Sequence, residues 1–555
     1  NLTFDVSGYT LTGSTLTLGG ATPTITVNSG TATINSVIAG TAGLTKAGAG
    51  GLTLGGANSF TGNLIIDAGT LTLNGTSSFT GDIYVNSTAR SGLSINSDAA
   101  LGAASNRIFT KAGSWLSINT ALSADRVITL GSGGQTTVDG AGAASARYTG
   151  SGDITFYRTG PTNDANDYTG QTTLSFDNNV SFTSVRNLGE ASALGAPTDP
   201  TKGTIIIAPG GGYTRTVTYV GDGDDSNRNW DMRSNFANLA FSNGGTGTLT
   251  LRGGIALTGS GSTGVNFVAT SADMKLLGEI SGSMGTVSFG GSTGRTITLG
   301  NANTFNVPVW ISTATVKAGT LADGGVVSSL GVGTKITLNY SGVLSYTGSG
   351  ATSNREWTVS WGGGTISNDG SGALSLSGDA AFPNAATLTF GGSYAGADNS
   401  FSGVISGAGN LASTGSSTWV LSGANTRTGT ITVDGGTLRA GHASAFGTTT
   451  GITINAGTLD LNGYDLSTMM LSGTGGTLAL GGADFTLTLD TGVSRTFNGT
   501  ITDTGSFTKL GGGTLTLTGA NTYDGATTIG GGTLALDFAG TNAPADNILS
   551  ASSAV

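Results

Sequence analysis

Phe507-Thr508-Lys509-Leu510-Gly511-Gly512-Gly513-Thr514-Leu515-Thr516-Leu517-Thr518-Gly519-Ala520-Asn521-Thr522-Tyr523-Asp524-Gly525 runs on through Ala526-Thr527-Thr528-Ile529 to Gly530-Gly531-Gly532-Thr533-Leu534-Ala535-Leu536. Leucine and threonine alternate here as in a strand with one buried face, and glycine clusters interrupt the alternation as tight turns do. Nearly the same wording stands at the other end. There Leu44-Thr45-Lys46-Ala47-Gly48-Ala49-Gly50-Gly51-Leu52-Thr53-Leu54-Gly55-Gly56-Ala57-Asn58-Ser59-Phe60-Thr61-Gly62 is followed by Leu64-Ile65-Ile66 and Gly69-Thr70-Leu71-Thr72-Leu73. A segment that recurs at both ends of a long chain is a structural unit before it is a site.

The spacing of the apolar pairs says what the unit builds. Leu52/Leu54, Leu71/Leu73, Leu93/Ile95 and Leu116/Ile118 follow one another at intervals of 19, 22 and 23 residues. Leu438, Leu459/Leu461 and Leu478/Leu480 step by 21 and 19, and Leu515/Leu517 to Leu534/Leu536 is again 19. A chain that returns to the same position every 19 to 23 residues stacks the inward faces of successive strands, each covering its neighbour's Leu and Ile. The expected fold is therefore all-β, a β-solenoid. With strands about 4.8 Å apart, roughly two dozen coils give an elongated rod on the order of 100 Å. The glycines are read as corners, and the Asn of Gly-Ala-Asn as a corner residue bonding its own backbone. Lys46 and Lys509, at one repeat position, are read as coil-edge residues.

Composition supports this and excludes much else. The 555 residues include 98 Gly, 8 Pro, one His and no Cys, with 10% charged residues and a formal charge of −10. Glycine without a strict triplet period is not collagen, and recurrent apolar strands are not a disordered linker. The acidic balance and scattered Lys and Arg speak against nucleic acid, which calls for a basic stripe. No run of about eighteen apolar residues supplies a membrane span. Asn1-Leu2-Thr3-Phe4 lacks the basic start and apolar core of a signal peptide. Asn547 to Val555 reads as a coil broken off partway, so the chain is expected to be a section of something longer.

A longer period lies above the coil. Asn-x-aromatic-x-Gly occurs at Asn58, Asn166, Asn399 and Asn521, with degenerate copies at Asn303 and Asn425. A Leu-Gly or Phe-Gly motif follows at Leu101-Gly102, Leu194-Gly195, Leu330-Gly331 and Phe446-Gly447. Next come Asn227-Arg228-Asn229-Trp230 and Asn354-Arg355-Glu356-Trp357, with echoes at Arg126 and Arg495. The constant order suggests N-terminal coils over 1–43 and modules over 44–147, 148–284, 285–408 and 409–504. A partial fifth covers 505–555, all in one continuous solenoid. Ala196-Pro197-Thr198-Asp199-Pro200 reads as one longer loop.

The two complete copies resemble the passenger-associated repeat of bacterial autotransporters, also called the autotransporter-associated β-strand repeat. That pattern runs Leu-x-Lys-x-Gly-x-Gly-x-Leu-x-Leu-x-Gly-x-Asn-x-aromatic-x-Gly, then a strand, then Gly-Thr-Leu. Lys46, Gly50, Leu52, Leu54, Asn58, Phe60, Gly62, Gly69, Thr70 and Leu71 match it. So do Lys509, Gly513, Leu515, Leu517, Asn521, Tyr523, Gly525, Gly532, Thr533 and Leu534. The resemblance is strong over about a fifth of the chain. It implies a right-handed parallel β-helix and an exported protein at or beyond the bacterial surface, and it implies no enzymatic activity. The outer-membrane barrel that often ends such proteins is not in this sequence.

No constellation of catalytic, cofactor or metal residues emerges. His442 has no second His or Cys to complete a metal set and no nucleophile motif beside it. Asp222, Asp224 and Asp225, near Arg228 and Asp231, lack the spacing of a calcium loop and read as a solvated turn. The glycine runs contain no phosphate-binding signature. Trp230 and Trp357 fall at equivalent module positions and read as packing residues; with Trp361 they are the alternative carbohydrate-stacking set. The expectation is a non-enzymatic structural or adhesive section, a stalk or matrix fibre. Self-association and surface glycans are the expected partners, and a carbohydrate-active or glycan-binding β-helix is the alternative.

Overall fold

The computed structural model describes all residues except 91, 124, 212, 234–237, 260–263, 301, 541–542 and 555, so the tail's last residue, Val555, lies outside the described residues. Two compact units divide the chain, Asn1–Met284 and Gly285–Val555.

The first unit is a stack of parallel coils. One sheet of eight strands runs from Leu2–Phe4 through Thr24–Val27, Leu44–Ala47 and Leu64–Ile66 to Arg147–Gly150. A second, of thirteen strands, runs from Tyr9–Leu11 to Ile280–Gly282. Each ladder joins strands one coil apart. Leu52 lies over Leu71, Leu71 over Leu93, and Leu93 over Leu116. All four are buried, because the period of two turns every second residue into the coil while the intervening Thr and Ser face outward. Burying one such leucine stabilises the stack by about 1.5–3 kcal/mol relative to exposure.

The expected interval of 19 to 23 residues is too narrow. Ile154 pairs with Thr172, 18 residues on, whereas Leu174 pairs with Ile207, 33 residues on. The longer coil contains the Pro-bearing loop foreseen at 196–200 and a single helical turn, Pro200–Gly203. The Asp199 carboxylate caps that turn by accepting from Thr201 N at 2.7 Å. Insertions enter at corners and leave the ladder register untouched.

The second unit repeats the principle. Val287–Gly291, Val309–Ser312, Lys335–Asn339, Glu356–Ser360, Ala380–Phe382 and Ile405–Gly407 form one ladder. Two strands of 13 residues, Thr428–Ala440 and Thr448–Asp460, pair across register shifts that turn them around a corner without ending the strand. Leu515 and Leu517 are buried under Leu534 and Leu536. Leu534 is half-buried and Leu536 is 38% exposed, because their strand, Thr533–Leu536, is the last in its sheet.

The corner glycines do two different jobs. At Gly69 φ is +67°, and an added Cβ would lie 2.3 Å from Gly50 O, so neither conformation nor space admits a side chain. The repeat Asn, by contrast, is no left-handed corner residue. It turns inward and spans coils: Asn166 Oδ1 accepts from Tyr148 N at 2.9 Å, and its Nδ2 donates to Ala193 O at 3.0 Å. Asn399 and Asn521 make the same pair of bonds.

Candidate binding surface

The lysines expected at a coil edge are inside. Lys46 occupies an inward position between Ile25 and Ile66 in the ladder, and its residue is fully buried. Its Nζ donates to three corner carbonyls, Ala47 O at 2.9 Å, Gly48 O at 2.8 Å and Ala68 O at 3.0 Å. Lys509, between Leu487 and Ile529, repeats this on Leu510 O, Gly511 O and Gly531 O at 2.9, 3.1 and 3.1 Å. Three donors on an ammonium match three converging carbonyls, so the charge is held by backbone dipoles instead of a carboxylate. Burial pulls the Lys46 ammonium down to about 8 and lowers Lys509 as well.

The arginine motif is interior too. Arg355 donates from Nε to Ala322 O at 2.9 Å, from Nη1 to Leu330 O at 2.8 Å and from Nη2 to Gly331 O at 2.6 Å. Arg228 Nη1 reaches Leu194 O at 2.6 Å, and Arg126 Nη2 reaches Gly102 O at 3.4 Å. The recurring Leu-Gly motif and the Arg motif that follows it are thus two halves of one contact, a rigid fork closing over a corner. The echo at Arg495 fails, since that side chain is exposed. Burial lowers Arg228, Arg355 and Arg427 to about 10, leaving them charged at neutral pH. Of these buried cations only Arg126 has an ion pair among the described residues, with Asp98 at 2.7 Å.

The residues weighed for chemistry do not converge. His442 Nδ1 accepts from Ser444 N at 3.0 Å within its own turn. Asp224 is held by Val185 N at 2.9 Å, and burial raises its carboxyl. Asp225 pairs with Arg252 at 2.6 Å, and Asp231 bonds Arg233 and Thr258. The acidic turn is therefore tied to neighbouring coils in addition to being wetted. No group of three or more potential metal ligands occurs among the described residues, and no described helix is long and apolar enough to cross a membrane. Trp230 and Trp357 are each 1% exposed, so neither offers a face to a ligand.

Trp361 is different. It is 62% exposed, one coil above Tyr340 at 57%, and Trp310 on the same sheet is 44% exposed. The strand ends Ser312, Asn339 and Ser360 stack in register, which puts the following residues Thr313, Tyr340 and Trp361 on one corner. Tyr340 N donates to Trp361 O at 2.7 Å, Ser341 N to Gly363 O at 2.9 Å, and Trp361 N to Asn384 Oδ1 at 2.9 Å. Thr313, Tyr340, Ser341 and Trp361 all have positive φ, between 39° and 61°. Such a conformation costs a non-glycine residue about 1–2 kcal/mol. The sequence flagged Trp361 only within a set of tryptophans; Tyr340 and the corner they share carry no pattern visible in one dimension.

The fold and its repeating contacts define a parallel β-solenoid built on a short passenger repeat. The family model described as Passenger-associated-transport-repeat matches residues 44–71, 66–87, 411–440 and 507–536. Over 565 aligned residues the chain is 47% identical to "Adhesin BmaC autotransporter" of Brucella suis biovar 1 (strain 1330). That alignment covers 100% of this chain and 16% of the relative, so the chain spans about a sixth of the length of the curated relative it matches. Repeat and relative together imply an exported, cell-surface protein. No solved structure matches the chain.

Proposed function

We propose that the chain is a structural, adhesive section of a larger exported surface protein, and that it carries out no enzymatic reaction. The observation that supports this most is identity to an adhesin along the whole chain, combined with ladders that keep register from coil to coil. Its mechanism is mechanical. Parallel backbone hydrogen bonds carry load along each stack, and buried cations tie a few of the corners to the coils next to them. The low-charge, Thr-rich outer faces give copies of the chain surfaces that pack side by side, so association into fibres belongs to the same reading.

The test uses inert beads coated with the purified 555-residue chain and laid over a cell monolayer under flow. Retention several-fold above beads bearing the heat-unfolded chain is expected; equal retention refutes the adhesive role. Electron micrographs of the same preparation decide the fibre question, ordered filaments supporting it and dispersed single particles refuting it.

A further inference from the structure

We propose that the corner formed by Tyr340 and Trp361, with Trp310 beside it, is a binding site for uncharged carbohydrate. The proposal names a ligand class for the adhesive reading and rests on it, while its evidence is local to one corner.

The first observation is where strain is placed. Among the described residues eight non-glycine positions have positive φ, and four of them, Thr313, Tyr340, Ser341 and Trp361, lie on this corner. At most other positive-φ positions the chain uses glycine, which adopts that backbone freely. Here it keeps two large aromatics in a conformation that disfavours them, and it does so where more than half of each residue's surface is exposed. Strain held with little packing return points to a role for the side chains themselves.

The second is rigidity. Three hydrogen bonds from consecutive coils, Tyr340 N to Trp361 O, Ser341 N to Gly363 O and Trp361 N to Asn384 Oδ1, fix the backbone beneath both rings. Aromatic side chains on a fixed ledge present large contact area with little conformational entropy to lose on binding.

The third is charge. The stretches 309–314, 337–345, 357–368 and 380–388 contain no Asp, Glu, Lys, Arg or His, and the coil below them brings one cation to the corner, Arg295, whose carbonyl accepts from Thr315 N at 2.9 Å. A polyanion would find a single cation, Arg295, two coils below Tyr340. A sugar ring offers what the corner can use, a C–H face for Trp361 and Tyr340 and hydroxyls for Ser341 Oγ and for Nδ2 of Asn384, whose Oδ1 is already held by Trp361 N. A shallow ridge of this kind gives weak single contacts, with Kd on the order of 1 mM, that gain strength when many copies bind one polymer.

The full 555-residue chain is run by affinity electrophoresis in gels containing dextran, mannan, xyloglucan or heparin, beside Trp361→Gly and the Tyr340→Gly/Trp361→Gly double variant. Glycine suits positive φ, so these variants keep or raise Tm, which separates lost binding from lost folding. The expected result is retardation by at least one neutral polysaccharide, weakened at least tenfold in the double variant. Retardation unchanged in that variant, retardation by heparin alone, or none by the three neutral polymers each overturns the proposal. Beads coated with the wild-type chain that still hold to cells when no neutral polymer retards it sink the carbohydrate site and leave the adhesive reading intact.

Discussion

Replacing Lys46 by methionine tests whether a buried charge can be part of what holds a coil shut. The side chain lies in an aliphatic column between Ile25 and Ile66, where methionine fits in volume and polarity. What changes is the cap. Gly48 and Ala68 lie just outside the strands, and their carbonyls accept from Nζ at 2.8 and 3.0 Å. Each carbonyl stranded by loss of its donor costs about 1–3 kcal/mol, roughly 2–6 for the two. Release from dehydrating an ammonium returns a comparable part of that, leaving a net loss of about 1–3 kcal/mol. Because coils open locally in a repeat protein, the assay is hydrogen exchange read by mass spectrometry over residues 40–75. Exchange in that window is expected to accelerate about 5- to 150-fold, with one decade for each 1.4 kcal/mol. Thr61→Ala, on an exposed residue, serves as the control and stays within about 0.5 kcal/mol of wild type. Exchange in Lys46→Met equal to or slower than wild type would show that the carbonyl cage is incidental.

The same lysine makes a pH prediction. Its value falls from 10.5 to about 8 on burial, so between those limits the unfolded chain binds more protons than the folded one. Wild type therefore gains stability relative to Lys46→Met as pH rises from 8 toward 10.5 and bears the full dehydration cost below 8; a Tm difference moving the other way between pH 7 and 9.5 refutes it. Arg355→Lys supplies one point charge where a fork serves Ala322, Leu330 and Gly331, and is expected to cost about 2–3 kcal/mol, whereas Arg495→Ala, on an exposed side chain, stays near zero by urea denaturation. Leu71→Ala, fully buried between Leu52 and Leu93, costs about 2–5 kcal/mol, and a loss under 1 in the same titration would contradict the register. Trp361→Gly relieves a φ of 39° and is expected to stabilise by about 1 kcal/mol in differential scanning calorimetry, a drop in Tm counting against the strain argument.

The ladders themselves are legible in the residue intervals. Leu52, Leu71, Leu93 and Leu116, chosen from spacing, are register partners in the fold, as are Leu459 and Leu478. A two-residue alternation broken by glycine has few other ways to bury its leucines, which is why one dimension sufficed. Lys46 was misplaced for the opposite reason. Hydropathy assigns a charged residue to the surface, and only parity with Leu44 in the same strand hinted that it faces inward. The Leu-Gly and Arg motifs were legible as a fixed order, yet 25 residues separate Leu330 from Arg355, and only the winding of the coil brings them into contact. The 33-residue coil was hidden because a corner insertion changes length without changing any strand. The aromatic corner left the least trace, since backbone strain has no letter of its own.

The caged lysine also bears on how such a chain reaches its fold without error. Near-identical repeats invite a coil to dock one repeat out of step, where leucine would still meet leucine and the mistake would go unpunished. Lys46 removes that tolerance, because its ammonium is satisfied only when Ala68, 22 residues on, closes the cage. A slipped coil would keep the bonds to Ala47 and Gly48 but leave the third donor of a buried ammonium unpaired among isoleucines, a penalty that favours reopening. Lys509 and Gly531 set the same checkpoint near the other end, so proofreading is written into the repeat that creates the need for it.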